Sequence, residues 1–287
     1  MNNKILRIFC LFALIAVGVF APKRAIAQTN VPFEQALVLA GGESTNPRDY
    51  DPATTHGSGD KLLFSGLVSL DPNLNLIPDL AESWNVNPDG TVYVFHLRTN
   101  AKFHNGRAVT AQDVVYSWER AANPALASDT ALTYLGDIVG VREMNAGTAD
   151  HISGLTVVDD HTLQVTIDAP KPYFLAKLTY PTSFVVDREN VESGGEWYRA
   201  PNGTGPYKLR EWKRFESIIY QANADFYLGK PSIPYVVFQL YSGVSQQMYE
   251  TGDVDISEVY SVDRFTDPTE PLHRELLTGV SLCTSFV

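Results

Sequence analysis

The sequence predicts a mixed α/β fold in which short strands and helices are separated by long surface loops. Residues 91–98 alternate apolar and polar side chains, which is typical of a half-buried strand, and residues 114–118 repeat apolar side chains at helical spacing. Turn-rich stretches at 41–60, 76–90 and 189–209 separate such patterns. The chain has no repeat of fixed period, so these elements are expected to interleave in one irregular α/β arrangement.

Residues 1–27 have the features of a secretory signal. Lys4 and Arg7 precede an apolar run at 8–21, which is too short to span a bilayer comfortably. Small residues at 25–27 suit cleavage before the next residue. Two basic residues between the apolar run and that cleavage site leave an uncleaved anchor as an alternative. We expect an exported protein, located in the periplasm or outside the cell.

The charge of the exported chain limits its partners. Removal of residues 1–27 takes away four of the 22 basic residues and none of the 33 acidic ones, which leaves a formal charge of −15. Nucleic acid and anionic membranes bind clustered Lys and Arg, so neither is an expected partner. Cys283 would be the one remaining cysteine, which rules out a disulfide within the supplied chain. The remaining residues are enough for one large domain or two small ones.

The first elements are a strand at 35–40 and, after the strand at 91–98, a helix that begins near Thr110. Thr110 and Asp113 have the spacing of a capping box, in which each residue bonds the backbone of the other. His104 lies in the connection between that strand and that helix. No second His, Cys or carboxylate stands at metal-ligand spacing from it, so a polar loop residue is favoured over a metal ligand.

The second half of the chain continues the same alternation. Two strands are predicted within 154–168, further strands at 207–212, 217–223 and 235–241, and helical segments at 172–181 and 243–252. The two glycines in the stretch 202–207 are expected to shape a tight entry to the strand at Tyr207.

Motifs of catalysis are absent from the sequence. It contains no H-E-x-x-H, no G-x-S-x-G and no G-x-x-x-x-G-K-[ST] pattern. The glycines at 56–61 and 202–207 lack the flanking strand and helix, or the Lys-Ser/Thr, of a phosphate loop. We therefore expect a binding protein rather than an enzyme, with no cofactor and no metal.

Aromatic side chains are abundant, with 14 Tyr, 14 Phe and four Trp. Periodic segments carry Trp84, Phe95, Trp118 and Phe238, which are assigned to the core. Tyr50, Trp197 and Tyr198 lie in loops, and are predicted to line a recognition surface.

A family resemblance appears over 80–120, "LAESWNVNPDGTVYVFHLRTNAKFHNGRAVTAQDVVYSWER". This stretch resembles the signature of the family-5 extracellular solute-binding proteins, the receptors of ATP-binding-cassette (ABC) importers for peptides and nickel. Further stretches resemble landmarks of that family in the same order, namely 63–71, 157–174, 202–212 and 251–257. The stretch 281–286 is similar to the oligopeptide-binding branch.

The resemblance implies a mixed-sheet, two-lobed clamshell of the periplasmic-binding-protein type (class II). Residues 28–62 and 191–280 would form a discontinuous first lobe, with 63–190 as an inserted subdomain. Residues 281–287 would begin the crossover to a second lobe that the chain does not contain. By this resemblance the chain corresponds to the N-terminal half of a receptor, and we expect it to be a fragment.

The implied function is the capture of oligopeptides between the lobes for import, with membrane permease subunits as partners and a monomeric full-length protein. Ligand-facing residues carried over from the family are Thr54, Thr55, His56, Gly57, Tyr249, Ser281, Cys283 and Phe286. Cys283 is implied to pair with a cysteine of the second lobe.

Several alternatives stay open at this point. The family's site has a tyrosine near Thr130–Ala131, where this chain has none, and Ser281 replaces an aromatic residue. A different ligand (nickel, haem or a sugar) and a sensory or chaperone-like role are therefore alternatives. A structural role for Tyr249 is a further one.

Overall fold

The computed structural model describes residues 31–32, 35–41, 47–55, 57 and 59–258, with residues 267, 269, 273 and 275 standing alone. The strands are β1 (Ala36–Gly41), β2 (Val68–Leu70), β3 (Leu76–Pro78), β4 (Ala81–Val86), β5 (Val92–Leu97), β6 (Leu155–Asp159), β7 (Thr162–Thr166), β8 (Tyr207–Lys213), β9 (Ser217–Ala222) and β10 (Tyr235–Leu240). The α-helices are α1 (Asp60–Leu63), α2 (Ala111–Ala122), α3 (Ala131–Tyr134), α4 (Val141–Asn145), α5 (Phe174–Lys177), α6 (Arg188–Glu192) and α7 (Ser245–Glu250). None of these helices is long and apolar enough to cross a bilayer.

The first sheet has the strand order β1-β10-β9-β8. β1 lies parallel to β10, with Val38 opposite Val237, and the other pairs are antiparallel. Ile218, Ile219 and Tyr220 of β9 are all buried, because β9 is an inner strand covered on both faces. On the other side of β1, the backbone N–H of Val38 donates to Asp255 Oδ2 at 2.7 Å. The backbone N–H of Asp255 donates in turn to Val38 O, also at 2.7 Å.

The second sheet has the order β4-β5-β7-β6 and is antiparallel throughout. In β5 the side chains of Tyr93, Phe95 and Leu97 point inward and are buried, as the sequence alternation predicts. Helix α2 packs into the same core, where Val114 and Trp118 are fully buried. Strands β2 and β3 form a separate small hairpin sheet.

The start of α2 follows its local sequence. The backbone N–H of Thr110 donates to Asp113 Oδ2 at 2.8 Å, and the reciprocal bond of the capping box is present. Near the end of the helix, the indole N–H of Trp118 donates to Ser183 O at 2.8 Å, which satisfies a fully buried donor. The predicted N-cap is confirmed.

The glycines before β8 have the predicted role. A Cβ atom on Gly203 would lie 1.9 Å from Leu63 O, and one on Gly205 would lie 2.4 Å from Leu62 O. Gly205 N–H donates to Leu63 O at 2.9 Å, so the two backbones are in direct contact. Only residues without a side chain fit at these two positions.

The predicted strands and helices within the described ranges are confirmed, with shifts of one or two residues at most ends. The stretch 76–90, predicted to be a turn-rich separator, instead contains β3 and β4. The prediction for Tyr50 is wrong. Its side chain is fully buried, its hydroxyl lies 2.6 Å from that of Tyr220, and its ring packs edge-on against Trp212 at 5.0 Å. A tyrosine can be buried in this way because its hydroxyl has a partner. Trp84, assigned to the core, is only partly buried.

Candidate ligand-binding site

The loop that carries Thr54 and Thr55 is held together by hydrogen bonds to Asp49 and Asp51 of the same loop. The backbone N–H groups of Thr54 and Thr55 donate to Asp51 O at 3.1 and 2.8 Å. The hydroxyl of Thr55 donates to Asp49 Oδ1 at 2.5 Å. Both threonines are half-buried. We call residues 49–57 the acidic loop.

Arg120 of α2 anchors the acidic loop to the rest of the molecule. Its guanidinium donates to both carboxylate oxygens of Asp51, at 2.9 and 2.5 Å. The side chains of Arg120 and Asp51 are only 14% and 8% exposed, so this bidentate pair is shielded from solvent. The guanidinium also lies 5.6 Å from the centre of the Trp197 ring, a cation–π distance.

The far end of the acidic loop is closed by Asp60, the first residue of α1. Gly57 N–H donates to Asp60 Oδ2 at 3.0 Å, and Asp60 N–H donates back to Gly57 O at 3.2 Å. Asp60 is fully buried. Burial raises the pKa of its carboxyl group to about 8, and the nearby charges of Asp49 and Asp51 add to this effect, while the bond from Gly57 acts against it.

A segment that sequence reasoning did not select lies against the acidic loop. The hydroxyl of Ser128 donates to Ala53 O at 2.5 Å. Two residues later, the hydroxyl oxygens of Thr130 and Thr182 lie 2.6 Å apart. The start of α3 is therefore bonded both to the acidic loop and to the segment after α5.

Tyr134 and Tyr180 form a stacked pair next to these contacts. Their ring centroids are 3.7 Å apart with planes inclined by 5°, and both side chains are half-buried. Burial raises the pKa of Tyr180, and the charges of Asp129 and Asp60 are among the further causes. The resemblance directed attention to Thr130–Ala131, whereas Tyr134 stands a few residues further on. Its partner Tyr180 is remote in sequence, so no local pattern identifies the pair.

A crevice of about 420 Å³ opens beside the acidic loop. Its lining includes Asp49, Asp51, Thr54, Arg120, Trp197 and Tyr198. Trp197 is itself only 9% exposed, so it contributes a wall rather than a projecting side chain. This crevice combines carboxylates with an aromatic wall, a combination that suits polar and cationic groups.

The structure does not bring Tyr249 to the acidic loop in the described part of the chain. Tyr249 lies on α7, packs against the apolar cluster around Val38 and Val254, and donates its hydroxyl to Glu275. Its described contacts are structural. His56, Ser281, Cys283 and Phe286 lie outside the described residues, as do residues 1–27.

His104 connects two parts of the chain. Its backbone N–H donates to Gly203 O at 2.8 Å, its Nδ1 accepts from Gly203 N–H at 3.3 Å, and its Nε2 lies 3.1 Å from Gly205 O. This pattern requires a neutral ring with the proton on Nε2. Burial lowers its pKa to about 4, which keeps the ring neutral. His104 therefore bridges the strand-to-helix connection to the segment before β8. Among the described residues, no three His, Cys, Asp or Glu side chains converge as a metal site.

Comparison with known proteins decides the family. Residues 75–271 match the bacterial extracellular solute-binding proteins, family 5 (middle region). The chain belongs to this family. The family-5 chain is 30% identical over 292 aligned residues to the periplasmic oligopeptide-binding protein OppA of Escherichia coli, an alignment that covers 96% of this chain and 53% of OppA.

Solved structures give the same result for the fold. The Escherichia coli murein tripeptide-binding protein MppA matches 83% of the chain with a TM-score of 0.74 and 30% identity, over 49% of its own length. Haemophilus influenzae OppA in complex with the peptide RPPGFSPFR matches 85% with a TM-score of 0.74 and 30% identity, over 49% of its length. The predicted α/β fold of periplasmic binding proteins is confirmed. The chain spans about half the length of these relatives, which are substrate-binding receptors rather than enzymes.

Proposed function

We propose that this chain forms one side of an extracytoplasmic receptor that binds oligopeptides and delivers them to the permease of an ABC importer. The observation that carries the proposal is the match to Haemophilus influenzae OppA, whose structure holds a nine-residue peptide. In such a receptor, closure around the ligand replaces water by protein hydrogen bonds. The receptor would bind its cargo without altering it, and would act as a monomer.

We further propose that residues 28–62 and 191–280 form the first lobe, with 63–190 inserted as a subdomain. The two four-stranded sheets support this division, because the first takes its strands from 36–41 and 207–240 and the second from 81–166. Residues 1–27 would act as the export signal, and 281–287 would lead towards a second lobe.

The ligand-facing residues remain a proposal. Within the acidic loop, Thr54, Thr55, His56 and Gly57 would offer backbone and hydroxyl groups to an extended peptide, while Tyr249, Ser281, Cys283 and Phe286 would contribute from elsewhere. Peptides held through their backbones can differ in side chains, which accounts for broad specificity. The fixed ends of the acidic loop support its role, since a preordered loop loses less entropy on binding.

Isothermal titration tests this function. The protein at its full natural length is titrated with tri-, tetra- and pentapeptide mixtures, and with free amino acids, Ni²⁺, haem and maltose as comparisons. We expect tight binding that depends on peptide length and tolerates side-chain changes. Binding of one of the comparison ligands instead, or hydrolysis of the peptides seen by mass spectrometry, would overturn the proposal.

A further inference from the structure

Asp60 is a buried carboxyl group that forms no ion pair with the residues that the structure describes. Its residue is fully buried, and Oδ1 has no hydrogen-bond partner among the described residues. Its Oδ2 accepts the N–H of Gly57 at 3.0 Å, a bond that closes the end of the acidic loop. A buried polar atom without a partner is costly, so such an arrangement persists only where the surroundings fix it.

The residue before Asp60 is tightly packed against two tyrosines. A Cβ atom on the preceding residue, Gly59, would lie 2.2 Å from the hydroxyl oxygen of Tyr220 and 2.9 Å from the Tyr50 ring. The hydroxyls of Tyr50 and Tyr220 bond each other at 2.6 Å. Because Asp60 is fully buried and the two tyrosine hydroxyls bond each other, charge on Asp60 is poorly solvated.

The charged groups near Asp60 do not compensate for that cost. Asp51 is paired with Arg120, and Asp49 lies 3.0 Å from Arg48, whose side chain is 77% exposed. Tyr50 and Tyr220 stay neutral, because burial raises the pKa of both. Among the described residues, no Lys, Arg or His forms an ion pair with Asp60.

We infer that Asp60 is a positioning residue, whose buried carboxyl group holds the Gly57 end of the acidic loop in its ligand-ready conformation and makes that conformation sensitive to proton loss. This inference rests on the proposed function for its effect on ligand binding. The effect on the loop itself stands on the geometry alone.

The direction of the pH effect follows from the two states of the loop. In the seated state, in which Gly57 N–H is bonded to Asp60, the carboxyl group of Asp60 has a pKa of about 8. In the open state, in which the carboxyl group meets water, this pKa returns towards the ordinary value of 3.8. The seated state then holds a proton that the open state has lost. The ratio of open to seated molecules therefore rises about tenfold per pH unit between the two pKa values of Asp60. It levels off above the higher pKa. Higher pH favours the open loop.

Amide hydrogen exchange of Gly57 tests the loop directly. We compare the wild type with Asp60→Asn, which keeps the acceptor for Gly57 N–H and cannot ionise. The wild-type exchange rate, divided by that of Asp60→Asn, should rise about tenfold per pH unit from pH 5 to pH 7. Asp150→Asn, which removes the same charge at an exposed position, should follow the wild type. A ratio that stays constant with pH would overturn the inference.

Binding of trialanine tests the consequence for the ligand. In Asp60→Leu, which has a branched apolar side chain and no acceptor, the Gly57 amide should exchange fast at every pH and the Kd should weaken at least about tenfold. Asp60→Asn should restore most of that affinity relative to Asp60→Leu. Equal affinity in all three proteins would refute the positioning role. If the wild type binds neither trialanine nor the peptide mixtures, the proposed function fails, while the exchange experiment still decides the role of Asp60. Should Asp60→Leu not fold, the comparison with Asp60→Asn is sufficient.

Discussion

Two buried carboxylates of this chain have opposite surroundings. Asp60 forms no ion pair within the described part of the chain, whereas Asp137 accepts from Lys171 Nζ at 2.7 Å and from Lys177 Nζ at 2.5 Å. Burial alone would raise the pKa of Asp137, but the bonds from the two lysines outweigh burial and lower it. The neighbours of a buried acid therefore decide the direction of its shift.

Replacement of Asp137 by Asn should lower the free energy of unfolding by about 2 kcal/mol at pH 7, because two charge-assisted bonds are weakened. The native pKa is depressed, so the stabilisation is present above the ordinary carboxyl pKa of 3.8 and is lost as the pH falls through the native value. Urea denaturation at pH 7 and at pH 3 measures both effects. Asp168→Asn is the control, since Asp168 contacts the same Lys171 but is 49% exposed, and its loss should cost less than about 1 kcal/mol. An equal loss for both variants would contradict this account.

Sequence reasoning at the residue scale succeeds where the partners are close in the chain. Thr110 and Asp113 are three residues apart, so their capping box is visible in the sequence. The position of Tyr50 in a loop predicts that it lines a recognition surface. The structure instead buries it against Tyr220, which is 170 residues away in the chain. The burial of Asp60 depends on the same long-range packing. No local pattern contains that information.

At the scale of elements, the approach of the Gly203 segment to α1 fixes how β8 begins. Gly203→Ala should lower the free energy of unfolding by about 3 kcal/mol or more, because its Cβ would lie 1.9 Å from Leu63 O and one of the two backbones must move. Thermal unfolding followed by circular dichroism measures the loss. Gly195→Ala is the matched control, since a Cβ there meets no atom within 4 Å, and its stability should stay within about 0.5 kcal/mol of wild type. A tolerated Gly203→Ala would show that this contact is looser than described.

The periodicity of apolar residues predicted seven of the ten described strands, because burial of one face imposes a regular period on each element. It predicted only three of the seven described α-helices, since the four others have four or five residues and are too short to show a period. The same patterns did not predict the order β1-β10-β9-β8, since strand order depends on contacts between distant segments. Family resemblance, rather than periodicity, pointed to Thr54–Gly57 as ligand-facing residues. The bonds that fix the acidic loop, from Arg120 and Ser128, became visible only in three dimensions.

At the scale of the whole molecule, His104 joins two distant parts of the chain. Its hydrogen bonds connect the segment before α2 to the segment before β8. His104→Ala should lower the free energy of unfolding by about 1–3 kcal/mol at pH 7.5, because the buried N–H of Gly203 loses its ring acceptor. The native pKa of about 4 lies below the ordinary value of 6.5, so the native state binds fewer protons than the unfolded state between them. The difference between wild type and His104→Ala should therefore shrink as the pH falls through that range. Urea denaturation at pH 7.5 and pH 5 measures this, with His151→Ala at an exposed site as control. A difference that grows on acidification would refute the neutral bridge.

The parallel pairing of β1 with β10 has a consequence for the order in which the molecule assembles. All strands of the second sheet lie within residues 81–166, whereas Ala36 of β1 must find Tyr235 of β10. Contacts between nearby segments form faster than those that close a long loop. During synthesis, β1 emerges early and then remains an unsatisfied apolar edge until about two hundred residues have followed it. A newly made chain is therefore most open to misassociation at its oldest strand.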